Sequence, residues 1–189
     1  MKIIYYYLIP LIWVIYIVYW WLKAKEVKQD KQKESMSSRF IRLLTFICVF
    51  VLLVIRSIRL GFLDERFIPE VAGFWTGALI TACGLSFSVW ARNHLGSNWS
   101  QSVSVKKDHE LITSGPYRIV RHPIYTGLLF AITGTAVAFG EWRGVLAVSM
   151  TFAILWYKLK LEEKWMGEQF GEQYKLYSKQ VAGLVPFIF

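Results

Sequence analysis

Cysteine is scarce, with two among 189 residues. Cys48 and Cys83 both fall inside apolar stretches, with no C-x-x-C pair and no Cys/His ligand spacing. They read as small hydrophobes, and no metal site is indicated. A glycine-rich Rossmann fingerprint is also missing, which argues against holding a cofactor as soluble enzymes of that fold do. There is no internal repeat and no low-complexity stretch. Acidic residues are few, 13 against 22 Lys and Arg, for a formal charge of +9. Such a balance often signals nucleic acid. Here the basic residues lie between apolar blocks instead of on one polar face, so membrane topology accounts for them and nucleic acid is excluded as a partner.

What the chain has in abundance is apolar and aromatic surface, 55% and 17% of its residues. The distribution is blocky. A helix crossing the hydrocarbon core needs about 20 mostly apolar residues, and five segments meet or approach that: Ile3–Leu22, Ile41–Leu60, Gly73–Ala91, Ile124–Phe139 and Val145–Leu159. The first is too long for a signal-peptide core and is followed by Lys23-Ala24-Lys25 instead of a small-residue cleavage site, so it reads as a retained span. The last two are joined only by Gly140 to Gly144, which predicts a tight antiparallel hairpin. Beyond them, Leu161, Trp165, Phe170, Tyr174, Tyr177 and Val181 recur at steps of three to five, the spacing of one helix face. That tail reads as an interfacial amphipathic helix continuing from the fifth span. The predicted fold is therefore all-α: a multi-pass helical membrane protein with about five transmembrane helices and a C-terminal amphipathic helix. Gly84, Gly127 and Gly134 are expected to permit close packing between spans.

Seventeen of the 22 Lys and Arg fall in the first linker with Arg42, the long loop from Arg92 to Arg121, and the tail from Lys158; five fall on the opposite side. The positive-inside rule then puts the N-terminus outside and the long loop and tail in the cytoplasm. The expected organisation is a scaffold of transmembrane helices over residues 1–91 and a cofactor-binding catalytic region over 92–189.

The densest chemistry runs from His109 to Tyr125. Gly115-Pro116 is a turn signal, and Pro123 suits the first turn of a helix, where its missing N–H costs nothing. The fourth span should start there, and its N-terminus is a natural site for an anion such as a carboxylate or phosphate. Arg121 and His122 precede that start, with Tyr117 and Tyr125 nearby. Each residue taken singly also fits an aromatic and basic belt at a membrane interface. A second cluster is Lys158 and Glu162, four apart and so on one helix face, emerging on the same side of the membrane as His122.

Leu95-Gly96-Ser97-Asn98-Trp99-Ser100, then His-x-Leu-x-x-x-Gly-x-Tyr-x-x-x-Arg-His-Pro-x-Tyr from His109 to Tyr125, then Glu162-Glu163 followed by Phe170-Gly171-Glu172-Gln173-Tyr174-x-x-Tyr177, resemble the isoprenylcysteine carboxyl methyltransferase family in order and spacing. The resemblance covers about half of the chain, from Leu95 onward. It implies a membrane enzyme that transfers a methyl group from S-adenosylmethionine to a lipophilic or prenylated acceptor. Its pocket for that cofactor would be lined by His109, Glu110, Leu111, Ile112, Tyr117, His122, Pro123, Ile124, Tyr125 and Glu162. Lys158 and Glu162 would carry the catalytic roles, and Lys158 with Arg121 would meet the acceptor. The family usually has Arg where Lys158 stands, tied to the acceptor carboxylate; Lys keeps the charge and loses the bidentate fork. The Arg-His-Pro and Glu-Glu elements also occur in phospholipid N-methyltransferases and, more loosely, in membrane sterol reductases, so an amine acceptor and a NADPH-dependent reduction remain as alternatives. The implied location is the plasma (inner) membrane, with the site facing the cytoplasm.

Reporter fusions after Ser35 and near Lys106 should both report cytoplasm. An extracytoplasmic signal at either position overturns the topology.

Overall fold

A computed structural model describes residues 2–23, 35–55, 58–96 and 111–186. Six helices follow one another: α1 Lys2–Lys23, α2 Met36–Val54, α3 Glu70–Leu95, α4 Pro123–Phe139, α5 Trp142–Phe170 and α6 Glu172–Gln180. Short 3-10 turns lie at Gly61–Asp64 and Gly115–Arg118. Among the described residues there is no β-strand, only isolated bridges, in keeping with the all-α expectation. α2, α3 and α5 are long and apolar enough to cross a membrane, while Tyr7–Lys23 and Pro123–Phe139 are apolar but shorter. Leu43, Ile47 and Phe50 of α2 and Leu79 of α3 stand on the outer surface, where water would penalise them and lipid would not. The chain is an integral membrane protein.

α3 and α4 form the tightest contact in the bundle, because both are notched. A Cβ on Gly84 would come within 2.6 Å of the Gly127 carbonyl oxygen, and one on Gly134 within 2.4 Å of the Thr81 nitrogen. Gly77 faces Gly134 and Ala138 in the same way. With no side chains between them the two backbones approach directly, the small-residue solution to packing helices where no hydrophobic effect draws them together. Thr81 and Thr135 face each other across this seam at 3.3 Å. α1 is attached through the polar tips of aromatic residues: Trp13 Nε1 donates to Thr135 at 3.0 Å, and the Tyr16 and Ser88 hydroxyls lie 2.8 Å apart. Val49 and Leu53 of α2 pack with Ala147 of α5 and Ile132 and Ala136 of α4.

Two boundaries differ from expectation. α2 begins at Met36, capped by the Ser35 hydroxyl, and stops at Val54 instead of continuing to Leu60. Arg143, buried at the start of α5, takes the carbonyls of Ile55 and Ile58 at 3.4 and 3.1 Å and pairs with Asp64 and Glu141. The segment just past the end of α2 is thereby tied to the start of α5. The fifth span continues into the tail as expected, and what differs is that the tail is not one helix. α5 runs unbroken for 29 residues to Phe170 because Lys158 to Glu163 are sound helix formers. The break comes at Gly171, whose φ of 52° and ψ of −124° suit glycine alone.

After α6 the chain turns back across the head of α4. Arg121 N–H donates to the Ala182 carbonyl at 2.8 Å and His122 N–H to that of Gly183 at 3.0 Å. The Thr126 hydroxyl donates to the Leu184 carbonyl, and Leu184 is buried with Tyr125, Leu129 and Leu159.

Gly134→Val should overpack the α3–α4 seam and lower stability by about 1–3 kcal/mol or more, read as a fall in the unfolding temperature of the detergent-extracted protein. Gly167→Ala, at a helical glycine with open space around it, should be neutral or stabilising. Equal effects would refute the seam.

Candidate functional site

The site is built where the end of α5 meets the head of α4. Glu162 and Glu163 are neighbours on α5, so their side chains diverge around the helix and meet different partners. Glu162 receives the Tyr125 hydroxyl, lies 3.3 Å from His122 Nδ1 and stands 3.9 Å from Lys158 Nζ. Glu163 receives Arg121 through Nε at 2.9 Å and again through Nη2, and lies 3.7 Å from His122 Nε2. His122 therefore sits between the two carboxylates. Its ring stacks on that of Tyr125, 5.5 Å between centroids and 7° from parallel. Lys158 Nζ lies over the same Tyr125 ring at 4.7 Å, a cation–π contact.

The backbone explains why these groups converge. Pro123 occupies the first turn of α4, as its fixed φ and missing N–H favour, and His122 is its N-cap residue. This places His122 just outside the helix and Tyr125 on its first turn. Lys158 and Glu162 stack one turn apart on α5. Buried carboxylates are costly unless paired and hydrogen-bonded, and here Arg121, His122, Lys158, Lys160 and the Tyr125 phenol meet the two of them. Burial on its own drives the His122 imidazole toward its neutral form, but the neighbouring carboxylates of Glu162 and Glu163 outweigh it and hold the pKa above the usual histidine value. His122 Nε2 is nonetheless buried and makes no hydrogen bond.

Tyr117 enters from the other side. It is buried in the Gly115–Arg118 turn, where the charge of Glu162 reaches it. Its carbonyl accepts from the Tyr177 hydroxyl of α6 at 2.5 Å, and its ring stacks with that of His94 at 6.4 Å. His94 also pairs with Ser114 at 2.9 Å. Gly115 is required twice over, by a φ of 58° and because a Cβ there would meet the His94 ring at 2.8 Å.

Of the residues singled out from the sequence, the structure brings together Tyr117, His122, Tyr125, Lys158 and Glu162, with Pro123 buried beside them. Ile124 packs against the neighbouring apolar cluster. Leu111 and Ile112 are half-buried and lead into the turn. His109 and Glu110 lie outside the described residues. The Arg121 guanidinium is directed at Glu163 and at the carbonyls of Ser178 and Val181. The sequence did not single out Tyr177 as a support for Tyr117, or His94 as its stacking partner. The signal for Tyr177 was its place at the end of the Phe170 to Tyr177 motif; for His94, on the last turn of a plain apolar helix, there was none.

Three comparisons bear on this site. The family model described as phospholipid methyltransferase matches residues 72–173, more than half of the chain and the stretch that holds both the Arg-His-Pro and Glu-Glu elements. A protein-S-isoprenylcysteine O-methyltransferase of Schizosaccharomyces pombe is 34% identical over 99 residues, 49% of this chain and 41% of that protein. One of Mus musculus is 32% identical over 133 residues, 67% of this chain and 47% of that protein. The chain thus spans about half the length of the curated relatives it matches, or less. A solved structure of a eukaryotic intramembrane Ras methyltransferase, an isoprenylcysteine carboxyl methyltransferase, is similar at 22% identity and a TM-score of 0.42, over 84% of this chain and 55% of that one, a likeness too distant to carry an assignment.

The raised pKa of His122 has a definite sign for stability. A raised folded-state value contributes stability that is complete below the unfolded value of about 6.5 and is lost as pH rises through the folded value. The unfolding temperature should therefore fall across that window in the unsubstituted protein and fall less in His122→Gln. Identical pH slopes would show that the imidazolium is not held by the two carboxylates.

Proposed function

The chain belongs to the phospholipid methyltransferase family, and from that premise we propose that it is a methyltransferase that moves a methyl group from S-adenosylmethionine to a lipophilic acceptor bearing a carboxylate. The observation that carries this reading is the convergence of Tyr117, His122 and Tyr125 with Lys158 and Glu162 inside the matched region. The names of the relatives, protein-S-isoprenylcysteine O-methyltransferases, support a prenylated, carboxylate-headed acceptor over an amine-headed lipid or a reducible sterol.

The donor set suits the proposed cofactor. A buried imidazole nitrogen without a hydrogen-bond partner, a carboxylate for amino or hydroxyl groups, and aromatic faces for a sulfonium or an adenine are the features that such a molecule needs. His109, Glu110, Leu111, Ile112, Tyr117, His122, Pro123, Ile124, Tyr125 and Glu162 are the proposed cofactor-binding residues, with residues 92–189 as the catalytic region and 1–91 as its helical support. When bound, S-adenosylmethionine supplies an electrophilic methyl carbon on a positively charged sulfur.

The protein's own part is positioning and desolvation. A carboxylate acceptor is already ionised at neutral pH and needs no general base. Lys158 orients that carboxylate from the edge of α5, and Glu162, one turn on, holds the cofactor side, so the two reactants meet across a single helical turn. The surrounding apolar residues exclude water from the nucleophile. Arg121, bonded to Glu163 and the tail, keeps His122 and Glu163 in register and bears on the acceptor side from behind them. In the membrane this reading takes five spans with the N-terminus outside and the end of α5 with α6 at the cytoplasmic surface of the plasma membrane. The soluble cofactor then arrives from the cytoplasm and the acceptor from the bilayer.

Calorimetry on the purified protein should show S-adenosylhomocysteine binding and no NADPH binding, with His122→Ala and Glu162→Ala each weakening the former. Lys158→Ala should leave that affinity nearly intact and lower kcat/KM for a prenylated carboxylate by the equivalent of about 1.5–3 kcal/mol, the range for a charge-assisted hydrogen bond. Lys158→Arg should preserve or raise activity, since it restores a bidentate fork. Unchanged cofactor affinity in both the His122 and Glu162 variants, or equal losses of affinity and turnover in Lys158→Ala, overturns the assignment.

A further inference from the structure

The last turn of α3 works in two directions. Arg92 and His94 are two residues apart, about 200° round a helix, so their side chains leave it on opposite sides. Arg92 is buried, and it donates to the Gly96 carbonyl at 2.8 Å and to the Lys23 carbonyl at 3.0 Å. One guanidinium thus answers carbonyls at the ends of both α3 and α1, where the helix dipole favours a cation. His94 faces the Gly115–Arg118 turn and meets it in three ways. Its Nε2 lies 2.9 Å from the Ser114 hydroxyl. A hydroxyl can donate or accept, so that bond holds whichever ring nitrogen carries the proton. A Cβ on Gly115 would come within 2.8 to 3.0 Å of three atoms of the ring, so glycine is what lets the imidazole lie against the backbone. The third contact is the stack on Tyr117, with 6.4 Å between centroids and 25° between planes, inside the range of a favourable aromatic pair. His94 and Ser114 are 20 residues apart, so this is a tertiary contact that joins the end of α3 to the turn.

We propose that His94 is a positioning residue for the cofactor: its imidazole holds the Gly115–Arg118 turn against α3 and fixes the orientation in which the Tyr117 ring meets S-adenosylmethionine. This rests on the methyl-transfer reading above, in which Tyr117 is a cofactor-binding residue. The backbone of Tyr117 has its own supports, since its N–H donates to the Ser114 carbonyl at 3.1 Å and its carbonyl accepts from the Tyr177 hydroxyl. Those bonds fix the peptide and leave the side-chain torsions of the ring open. The stack on His94 acts on the ring itself. Without it the ring and the turn sample other arrangements, and the apparent affinity for a ligand falls with the fraction of molecules that stay competent. A basic residue in the last turn of α3 also complements the helix dipole. Arg92 meets that need already, and it requires no contact with Ser114, Gly115 or Tyr117.

Calorimetry of S-adenosylhomocysteine binding to the full chain in detergent tests this. His94→Ala should weaken binding by about ten-fold, the scale of one aromatic contact together with one neutral hydrogen bond. It should stay folded with little change in unfolding temperature, because His94 is exposed. His94→Phe keeps a ring for the stack, and His94→Gln keeps a hydrogen-bonding group for Ser114; each should recover part of the loss. Asn93→Ala is the control, an exposed residue of the same turn whose hydrogen bond, at 2.8 Å, is to Tyr19 of α1. Its affinity should match that of the unsubstituted protein. In a Tyr117→Leu background, His94→Ala should cost much less than it does alone, since the two act through one contact. Full affinity in a folded His94→Ala, an equal loss in Asn93→Ala, or a His94→Ala loss undiminished by Tyr117→Leu each overturns the proposal. Should His94→Ala fail to fold, full affinity in both His94→Phe and His94→Gln overturns it. An unsubstituted protein that does not bind S-adenosylhomocysteine sinks the methyl-transfer reading and this inference with it, whereas binding that ignores His94 sinks this inference alone.

Discussion

Two adjacent carboxylates on one helix govern the architecture of this protein's working end. Glu162 and Glu163 point in different directions from α5, and neither can be taken out of water without a partner. Their partners come from far along the chain: Arg121 and His122 before α4, Tyr125 on its first turn, and Lys158 one turn back on α5 itself. Satisfying both carboxylates at once fixes the distance between the head of α4 and the end of α5. It also fixes the tail, because the same Arg121 that answers Glu163 also takes the carbonyls of Ser178 and Val181. A conservative change at either glutamate should consequently be felt at several separate elements.

At the opposite end the bundle is held by geometry more than by charge. The glycine notches of α3 and α4 let two backbones touch, and the buried Arg143 ties the end of α2 to the α4–α5 turn. With one end clamped and the seam rigid, α5 works as a lever of fixed length that delivers Lys158 and Glu162 to the head of α4. The proposed chemistry, alignment of donor and acceptor with little proton transfer, is the kind that benefits from such rigidity.

Much of this was legible in the sequence, wherever the determining information is local. Pro123 marks the start of α4 by its own covalent geometry, the Gly140 to Gly144 link announces the hairpin, and the four-residue spacing of Lys158 and Glu162 shows that they share a face. Gly84, Gly127 and Gly134 announced the close seam. The misses have two causes: contacts between residues far apart, and one glycine whose local conformation ends α5. The segment after α2 is held by Arg143, which lies 85 residues beyond Ile58 and donates to its carbonyl. The length of α5 is set by a glycine with positive φ, and hydropathy, which sees only where the apolar run ends at Leu159, does not register it. The role of Glu163 depends on Arg121, 42 residues away.

The return of the chain across α4 carries a consequence for how the protein is made. The amides of Arg121 and His122 are held by the carbonyls of Ala182 and Gly183, and the Arg121 guanidinium reaches Val181, 60 residues further on. A nascent chain can be made as far as the end of α4 and still present His122 without the backbone partners that orient it. The proposed pocket is thus completed only when the segment after α6 has emerged from the ribosome, and a chain stalled or cut before Ala182 would lack the backbone partners of Arg121 and His122.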